Sequence, residues 1–455
     1  DKTVIMEYDD AIYLPPFYHS EVGVARRIAE IVRTKSKYCS YNPSEVIQSI
    51  QEECRIQYDD VQVEAIKKAI TSKFMVLTGG PGTGKTTTTM AIIKVFEKLK
   101  ANVMLAAPTG RAAKRMSEAT GRNAQTVHRL LKYSPLEGYK NNEENPLDCD
   151  VLIIDETSMI DIILMYNLLK AVSNDTVVIL VGDVDQLPSV GPGNVLKDII
   201  DSGAVTVVKL NRIFRQAMGS AIIMNAHKIN HGEFPVLMGG KNSDFFFIEE
   251  EDPEKIVELV RQLCKERLPK YYGVDPVNQI QVLCPMLKGA VGAHNLNAVL
   301  QEALNPSDIS VKYGGIFYKV NDKVMQIKNN YDKNVFNGDI GRITNIDRGE
   351  KVVYIKFDEN EVEYDVTELD EVALAYAITV HKSQGSEYSI VIAPFTMQHY
   401  MMLQRNLLYT CVTRAKKVIV LVGSKKALGY CIKNSKSIDR NTMLVLRLKE
   451  MFSTT

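Results

Sequence analysis

The chain has little that would tie it to a membrane, a metal framework or an oppositely charged partner. Lysine plus arginine and aspartate plus glutamate number 55 each, so no net charge draws the whole molecule towards nucleic acid. Any grip on a polyanion must then come from local patches and dipoles. No uninterrupted apolar stretch approaches the ~20 residues of a bilayer span, and no signal peptide is expected ahead of the first strand. The seven cysteines (Cys39, Cys54, Cys149, Cys264, Cys284, Cys411, Cys431) include no C-x-x-C pair, which argues against a disulfide framework or a zinc site and for a reducing cytoplasm. No internal repeat or low-complexity tract occurs. The sequence opens on Asp1 rather than methionine, which implies a piece of a longer protein whose preceding region can hold further activities or partner contacts.

At 455 residues the chain is too long for one core, and about three domains are expected. Residues 1–56 read as a helical packing appendage, with Val22, Ala25, Ile28, Ala29 and Val32 on one face of a helix over 21–34 and Pro43-Ser44 opening a second. From Gln57 apolar runs at 74–78, 102–107, 151–155, 177–181 and 205–210 alternate with helical stretches, the pattern of a parallel sheet covered on both faces. A first α/β domain is therefore expected over 57–218, interrupted at about 132–147 by a short projecting hairpin. A second α/β domain is expected over 219–304 and 371–455, with a helix over 253–268 and strands at 280–283, 389–393 and 418–422. Residues 305–370 differ in texture, with short β-rich runs and turns at Asn337-Gly338 and Arg348-Gly349, which suggests an inserted small barrel.

The run Phe74-Met75-Val76-Leu77 leads into Gly79-Gly80-Pro81-Gly82-Thr83-Gly84-Lys85-Thr86, followed by a helix that begins near Thr87. This fits G-x-x-x-x-G-K-S/T in the strand-to-helix setting the motif requires. The glycines let backbone N–H groups turn inward around phosphate oxygens, and the helix dipole faces the same anion. Lys85 would reach the β- and γ-phosphates of ATP, and Thr86 would place its hydroxyl on Mg2+. A second apolar run, Val151 to Ile154, ends in Asp155-Glu156. Alone these would be ordinary turn acids. Beside a phosphate loop, Asp155 is expected in the magnesium shell, partly through water, and Glu156 as the base that orients and deprotonates the attacking water.

Further motifs follow in order: Ala107-Pro108-Thr109-Gly110-Arg111-Ala112-Ala113, Thr126-Val127-His128-Arg129-Leu130-Leu131, Gly182-Asp183-Val184-Asp185-Gln186-Leu187-Pro188, Phe214-Arg215-Gln216, Thr379-Val380-His381-Lys382-Ser383-Gln384-Gly385 and Tyr409-Thr410-Cys411-Val412-Thr413-Arg414-Ala415. The ordered set resembles the motifs of superfamily 1 helicases and, more narrowly, the RecD branch, in which H-K-S-Q-G-S-E and the N-P-L pin segment recur. The resemblance spans residues 57 to about 425. It implies two RecA-like parallel-sheet domains, a β-hairpin pin and an inserted SH3-like β-barrel that guides single-stranded DNA.

By the same resemblance Gln186 senses the γ-phosphate, and Arg215 and Arg414 reach it from two sides of a cleft, where permanent planar charge suits the transferring oxygens. Gln62 corresponds to an adenine-binding glutamine, although Val61 stands where the family usually has another glutamine. Thr109, His128, Thr379, His381 and Lys382 fall where such proteins contact a single strand, and Gln384 would couple nucleotide to DNA. Contacts of that kind bind backbone without reading sequence. The pin around 133–147 would split a duplex at a fork, with Tyr133 and Tyr139 able to stack on the last base pair; a plain connecting loop is the alternative. Basic clusters at Arg111, Lys114 and Arg115 with His128 and Arg129, at Lys323, Lys328 and Lys333, and at Arg414, Lys416 and Lys417 are candidate DNA patches or plain solvated faces.

The resemblance thus implies an ATP-dependent DNA helicase, monomeric in isolation, moving 5′→3′ on single-stranded DNA and acting on forked or tailed duplexes in repair or recombination. Two alternatives stand beside it: a module of a larger nuclease or relaxase complex, and a DNA-independent phosphate-loop ATPase switch.

Overall fold

The structure, a computed structural model, describes residues 6–8, 11–237, 240, 243–435 and 440–453. It divides into two compact units, one of residues 1–215 with 438–455 and one of residues 216–437.

The first unit is built on six parallel strands in the order Thr206–Leu210, Phe74–Gly79, Val177–Gly182, Val151–Ile154, Val103–Ala107 and Ala124–Thr126. Their period-two geometry sends Phe74, Val76, Leu152, Ile154, Val178 and Leu180 into one core and Met75, Leu77, Ile153, Ile179 and Val181 into another. Each such side chain, fully buried, contributes roughly 1.5–3 kcal/mol, which is why these strands read as continuous apolar runs. Helices Pro43–Cys54, Asp60–Thr71 and Lys85–Lys98 cover the second core.

The first core is closed by helix Ile162–Lys170, by helix Pro15–Arg33 through Val24, Ala25, Ile28 and Ile31, and by helix Leu444–Ser453 through Leu444 and Leu448. Two sequence-based boundaries change as a result. The N-terminal helix is a wall of the core rather than an appendage. Residues 440–453 pack with the first unit and not with the second α/β domain expected over 371–455, because Leu444 and Leu448 complete the first unit's core and Arg447 Nε pairs with Glu21 Oε1 at 2.8 Å.

The projecting hairpin is shorter than the 132–147 read from sequence. Its strands are Tyr133–Ser134 and Gly138–Tyr139, turning through Pro135, Leu136 and Glu137. The N-P-L segment does not project: Leu147 is buried in the core and its N–H donates to Ala171 O at 2.7 Å.

The second unit carries five parallel strands in the order Phe245–Glu249, Ala415–Gly423, Tyr388–Phe395, Ile280–Cys284 and Ala377–Thr379. Between strands Ile280–Cys284 and Ala377–Thr379 the chain makes an antiparallel five-stranded sheet in the order Asn360–Asp365, Val352–Phe357, Ile340–Asp347, Lys323–Gln326, Val372–Leu374, with a hairpin of Ser310–Tyr313 and Ile316–Lys319. Val324, Ile343, Val353, Ile355 and Tyr364 form its separate core. The closing strand Val372–Leu374 lies past the expected limit of 370 because its backbone pairs with 324–326. The helix expected over 253–268 is Pro253–Gln262, continued by a wider turn to Arg267 and by helix Leu268–Tyr272. Two parallel α/β domains with a small inserted β-barrel are thus present. Among the described residues no helix is long and apolar enough to cross a membrane.

Candidate nucleotide and DNA site

Strand Phe74–Gly79 delivers the phosphate loop to the carboxyl edge of the first sheet, and helix Lys85–Lys98 leaves it. Gly82 and Gly84 take left-handed φ of 72° and 81°, which turns the intervening N–H groups towards one point. Gly84 has a second constraint: a Cβ there would lie 2.7 Å from both Gln62 Nε2 and Phe214 Cε2. Phe214 N–H donates to Gly82 O at 3.2 Å, so the loop is fastened from the segment just before Arg215. Thr83 Oγ1 donates to Gly80 O at 2.8 Å. Lys85 Nζ donates to the carbonyls of Gly79 and Gly80, which holds the ammonium inside the loop's mouth. Thr86 and Thr87 are exposed in the first turn of the helix, and Pro81 is half-buried in the loop.

Gln62 lies beside this loop, buried, as the third residue of a capping box. Its Oε1 accepts from Asp59 N–H at 3.2 Å and its own N–H donates to Asp59 Oδ1 at 2.8 Å. That fixes the side chain with its amide nitrogen towards Gly84.

Asp155 follows the end of strand Val151–Ile154, two places along the sheet from the loop's strand, with its Oδ1 accepting from Glu156 N–H at 2.8 Å. Burial, reinforced by the Glu156 carboxylate, pushes the Asp155 carboxyl above the usual carboxylate range, while the Glu156 N–H, Lys85 and Arg115 pull it down. Glu156 adopts φ 50°, a left-handed conformation that costs a non-glycine residue energy and is concentrated at functional sites. Arg115 Nη1 stands 3.7 Å from Glu156 Oε1. Just past strand Val177–Gly182, which lies between those two strands, Gln186 Nε2 donates to buried Asp183 Oδ2 at 3.2 Å, and Val184 N–H reaches Thr78 Oγ1 at 3.4 Å. Lys85, Asp155, Glu156 and Gln186 therefore share the carboxyl edge of one sheet, where ligands bind in open α/β folds.

Thr109 caps helix Gly110–Thr120, accepting from Ala112 N–H at 3.2 Å. His128 sits at the base of the hairpin, its ring centroid 5.6 Å from that of Tyr133 and 6.2 Å from that of Tyr139. Burial lowers its imidazole pKa. Tyr133 and Tyr139 pack on each other at 4.8 Å, so the side chain offered at the tip is Leu136, 96% exposed.

In the second unit, Thr379 ends strand Ala377–Thr379 and its Oγ1 accepts from Lys382 N–H at 3.3 Å. Lys382 is exposed, with Nζ donating to Asn337 Oδ1 of the inserted barrel at 2.9 Å. His381 is half-buried, and burial lowers its pKa. Gln384 is buried just before Gly385. Arg414 is buried and its Nη1 donates to Ser386 O at 3.1 Å. Arg215 opens helix Arg215–Met218; its side chain lies outside the described residues. Of the basic patches, the second is spent internally. Lys323 is buried against Ile280 O, Lys328 pairs with Asp370, and Lys333 pairs with Glu368 at 2.6 Å.

Sequence reasoning missed Phe214 as a support of the loop and Arg115 as a neighbour of Glu156. Phe214 stands inside one of the motifs and Arg115 in a basic cluster, yet neither spacing nor composition reveals a partner that the fold brings from far along the chain.

Residues 62–192 match the family model of the AAA domain, residues 296–357 that of the ATP-dependent RecD-like DNA helicase SH3 domain, and residues 374–422 that of the UvrD-like helicase C-terminal domain. The chain is 37% identical over 439 residues to the ATP-dependent RecD2 DNA helicase of Deinococcus radiodurans, covering 96% of this chain and 58% of that one. It is 31% identical over 414 residues to the RecBCD enzyme subunit RecD of Mycobacterium tuberculosis, covering 82% of this chain and 70% of that one. Among solved structures, Pif1 helicase from Bacteroides in complex with ADP-AlF3 and ssDNA aligns at 18% identity and a TM-score of 0.48, over 91% of this chain and 98% of that one. The motif order, the RecD-like barrel and the extent of identity converge, and the chain belongs to the RecD family of superfamily 1 helicases.

Proposed function

We propose that this chain carries the motor of an ATP-dependent DNA helicase that moves 5′→3′ along single-stranded DNA and opens forked or tailed duplexes during repair or recombination. The observation that carries this reading is the gathering of Lys85, Asp155, Glu156 and Gln186 on one sheet edge, in the same unit as a hairpin tipped by exposed Leu136.

The loop suits a triphosphate. Its glycines leave no room for a Cβ at Gly84, and the Lys85 ammonium, which now rests on two carbonyls, would trade them for β- and γ-phosphate oxygens. The exposed Thr86 hydroxyl and the Asp155 carboxylate are hard oxygen donors of the kind magnesium takes, and a carboxyl raised by burial and a like-charged neighbour gains from a cation. Bound there, magnesium would neutralise charge on the transferring phosphoryl oxygens. Gln62, with its amide nitrogen facing Gly84, is the adenine contact in this reading.

Glu156 accepts a proton from water as the water oxygen bonds to the γ-phosphorus, and the bond from that phosphorus to the bridging oxygen breaks to leave ADP and phosphate. Gln186 reports the loss of the γ-phosphate through Asp183, with Arg215 and Arg414 as the cationic partners of the transferring group. Thr109, His128, Thr379, His381, Lys382 and Gln384 hold the strand by its backbone, and Leu136 wedges the fork. Seven cysteines, all free among the described residues, suit a reducing cytoplasm, and a single copy of the chain carries every named residue.

A second reading is favoured by one observation: the chain spans 58% of the length of the Deinococcus relative and 70% of the Mycobacterium subunit. The chain is then one part of a longer protein or complex, and its partners attach outside the residues present. ATP hydrolysis measured with and without single-stranded DNA tests the motor reading. Turnover that rises with DNA and disappears in Lys85→Ala supports it; turnover indifferent to DNA favours an ATPase switch.

A further inference from the structure

The loop 189–193 starts three residues after Gln186; Val190 at its turn is 82% accessible, Ser189 is buried and 191–193 are half-buried. Loops of this kind are ordinarily the mobile part of a domain. This one is held by Arg440, from the segment that rejoins the first unit near the end of the chain. Arg440 Nη1 donates to Ser189 Oγ at 3.2 Å, to Gly193 O at 2.6 Å and to Gly191 O, while Nη2 donates to Ser189 O. A guanidinium is suited to this because its donors form a rigid planar fork.

The same loop is also held by the segment that follows Glu156. Ile162 N–H donates to Pro192 O at 2.9 Å, and Gly191 lies so close to the Asp161 side chain that a Cβ would overlap it. Asp161 is itself fixed as the cap of helix Ile162–Lys170, accepting from Leu164 N–H at 2.8 Å. The loop after Gln186 is therefore fastened both by the continuation of Asp155-Glu156 and by a guanidinium contributed by the C-terminal segment.

That segment is firmly moored. Glu21 Oε1 accepts from Arg447 Nε at 2.8 Å and from Met443 N–H at 3.1 Å. The Thr442 hydroxyl lies 3.1 Å from Glu21 Oε2 and 3.0 Å from Asp198 Oδ2. Leu444 and Leu448 are buried. Burial and Glu21 thus account for the mooring without Arg440, whose hydrogen bonds go to the 189–193 loop instead.

We propose that Arg440 is a positioning residue for ATP turnover: by fastening 189–193 it sets Gln186 against the Asp155-Glu156 edge, so that the C-terminal segment completes the catalytic geometry of the first unit. This rests on the ATP-hydrolysis reading above. Removing the clamp leaves the phosphate loop and the magnesium donors untouched. The loss should fall on turnover and not on nucleotide binding.

The test compares the unaltered chain with Arg440→Ala and Arg440→Lys for ATP hydrolysis on single-stranded DNA and for amide hydrogen exchange. The expected result is a fall in kcat of roughly 10- to 100-fold in Arg440→Ala, the usual cost of losing a residue that orients a catalytic group, with KM for ATP changed by no more than about twofold. Exchange should quicken over 186–193 while strand Phe74–Gly79 keeps its protection. Millimolar guanidinium should restore part of the rate of Arg440→Ala, and Arg440→Lys should fall between. Wild-type turnover in Arg440→Ala overturns the proposal. So does a loss shared equally by ATP binding and by exchange throughout the first unit, which marks mere unfolding. If the unaltered chain itself shows no turnover, the motor reading fails separately, and unchanged protection of 186–193 in Arg440→Ala then overturns the clamp.

Discussion

Arg115 and Glu156 face each other across 3.7 Å, from Nη1 to Oε1, with the guanidinium on a helix whose first residue is capped by Thr109. One short helix thus joins a proposed strand contact to the proposed water-activating carboxylate. Glu156→Gln removes the base and should lower ATP turnover by about 10²–10⁴-fold while nucleotide and DNA binding persist. Arg115→Ala removes only the neighbour that orients it and should cost roughly 10-fold, with KM for ATP little changed. Steady-state hydrolysis on single-stranded DNA, with nucleotide binding measured alongside, checks both. Normal turnover in Glu156→Gln would remove the role assigned to that residue.

The hairpin offers Leu136 and not its tyrosines. Tyr133 and Tyr139 are engaged with each other and with His128 at the base. Leu136→Gly should therefore slow strand separation while leaving DNA-stimulated hydrolysis intact, because translocation does not use the tip. Tyr133→Ala should loosen the whole hairpin and reduce separation through its mounting. Equal unwinding by Leu136→Gly and the unaltered chain speaks for a plain connecting loop.

Glu21 and Arg447 form a buried ion pair, 5% and 6% exposed, with Tyr18 stacked 4.9 Å from the guanidinium carbon. Glu21→Gln leaves that cation in the interior without its carboxylate, which typically costs about 3–5 kcal/mol. Denaturant unfolding of the first unit should show a loss of this size, and the double variant Glu21→Gln/Arg447→Met should recover part of it. A change within experimental scatter in Glu21→Gln would mean that the mooring of the C-terminal helix is carried by Leu444 and Leu448 alone.

His399 in the second unit is buried, with Nδ1 accepting from Thr396 N–H at 3.4 Å and the ring also bonded to the Val291 backbone; burial pushes its pKa down to about 4. The unfolded chain protonates near 6.5. A depressed histidine stabilises the fold above the unfolded value and loses that contribution as pH falls through the folded one. Between about pH 6.5 and pH 4 the second unit should thus lose on the order of 3 kcal/mol through this group. Unfolding midpoints of the unaltered chain and His399→Gln should converge over that window; parallel curves contradict the assignment.

The parallel sheets were legible because their strands are buried on both faces and so are apolar throughout, as at Phe74 to Leu77 and Val151 to Ile154. The phosphate loop was legible because chemistry imposes consecutive residues. What the sequence concealed is long-range. Arg440, Arg115 and Phe214 act on residues far away in the chain, and no local period marks them. Strand Ala124–Thr126 is too short to leave a pattern, and Leu147 looked like part of a polar loop because one buried side chain among polar neighbours carries no periodicity. The C-terminal helix is amphipathic in the ordinary way, and nothing in that pattern says which core it closes.

The central claim is that ATP turnover at Lys85 and Glu156 drives strand separation. The most direct measurement is strand displacement on duplexes with a 5′ or a 3′ single-stranded tail, with Lys85→Ala as the control. The account predicts ATP-dependent displacement from the 5′ tail, little from the 3′ tail and none with Lys85→Ala. Displacement that survives in Lys85→Ala, or ATP hydrolysis that never separates either duplex, would contradict it.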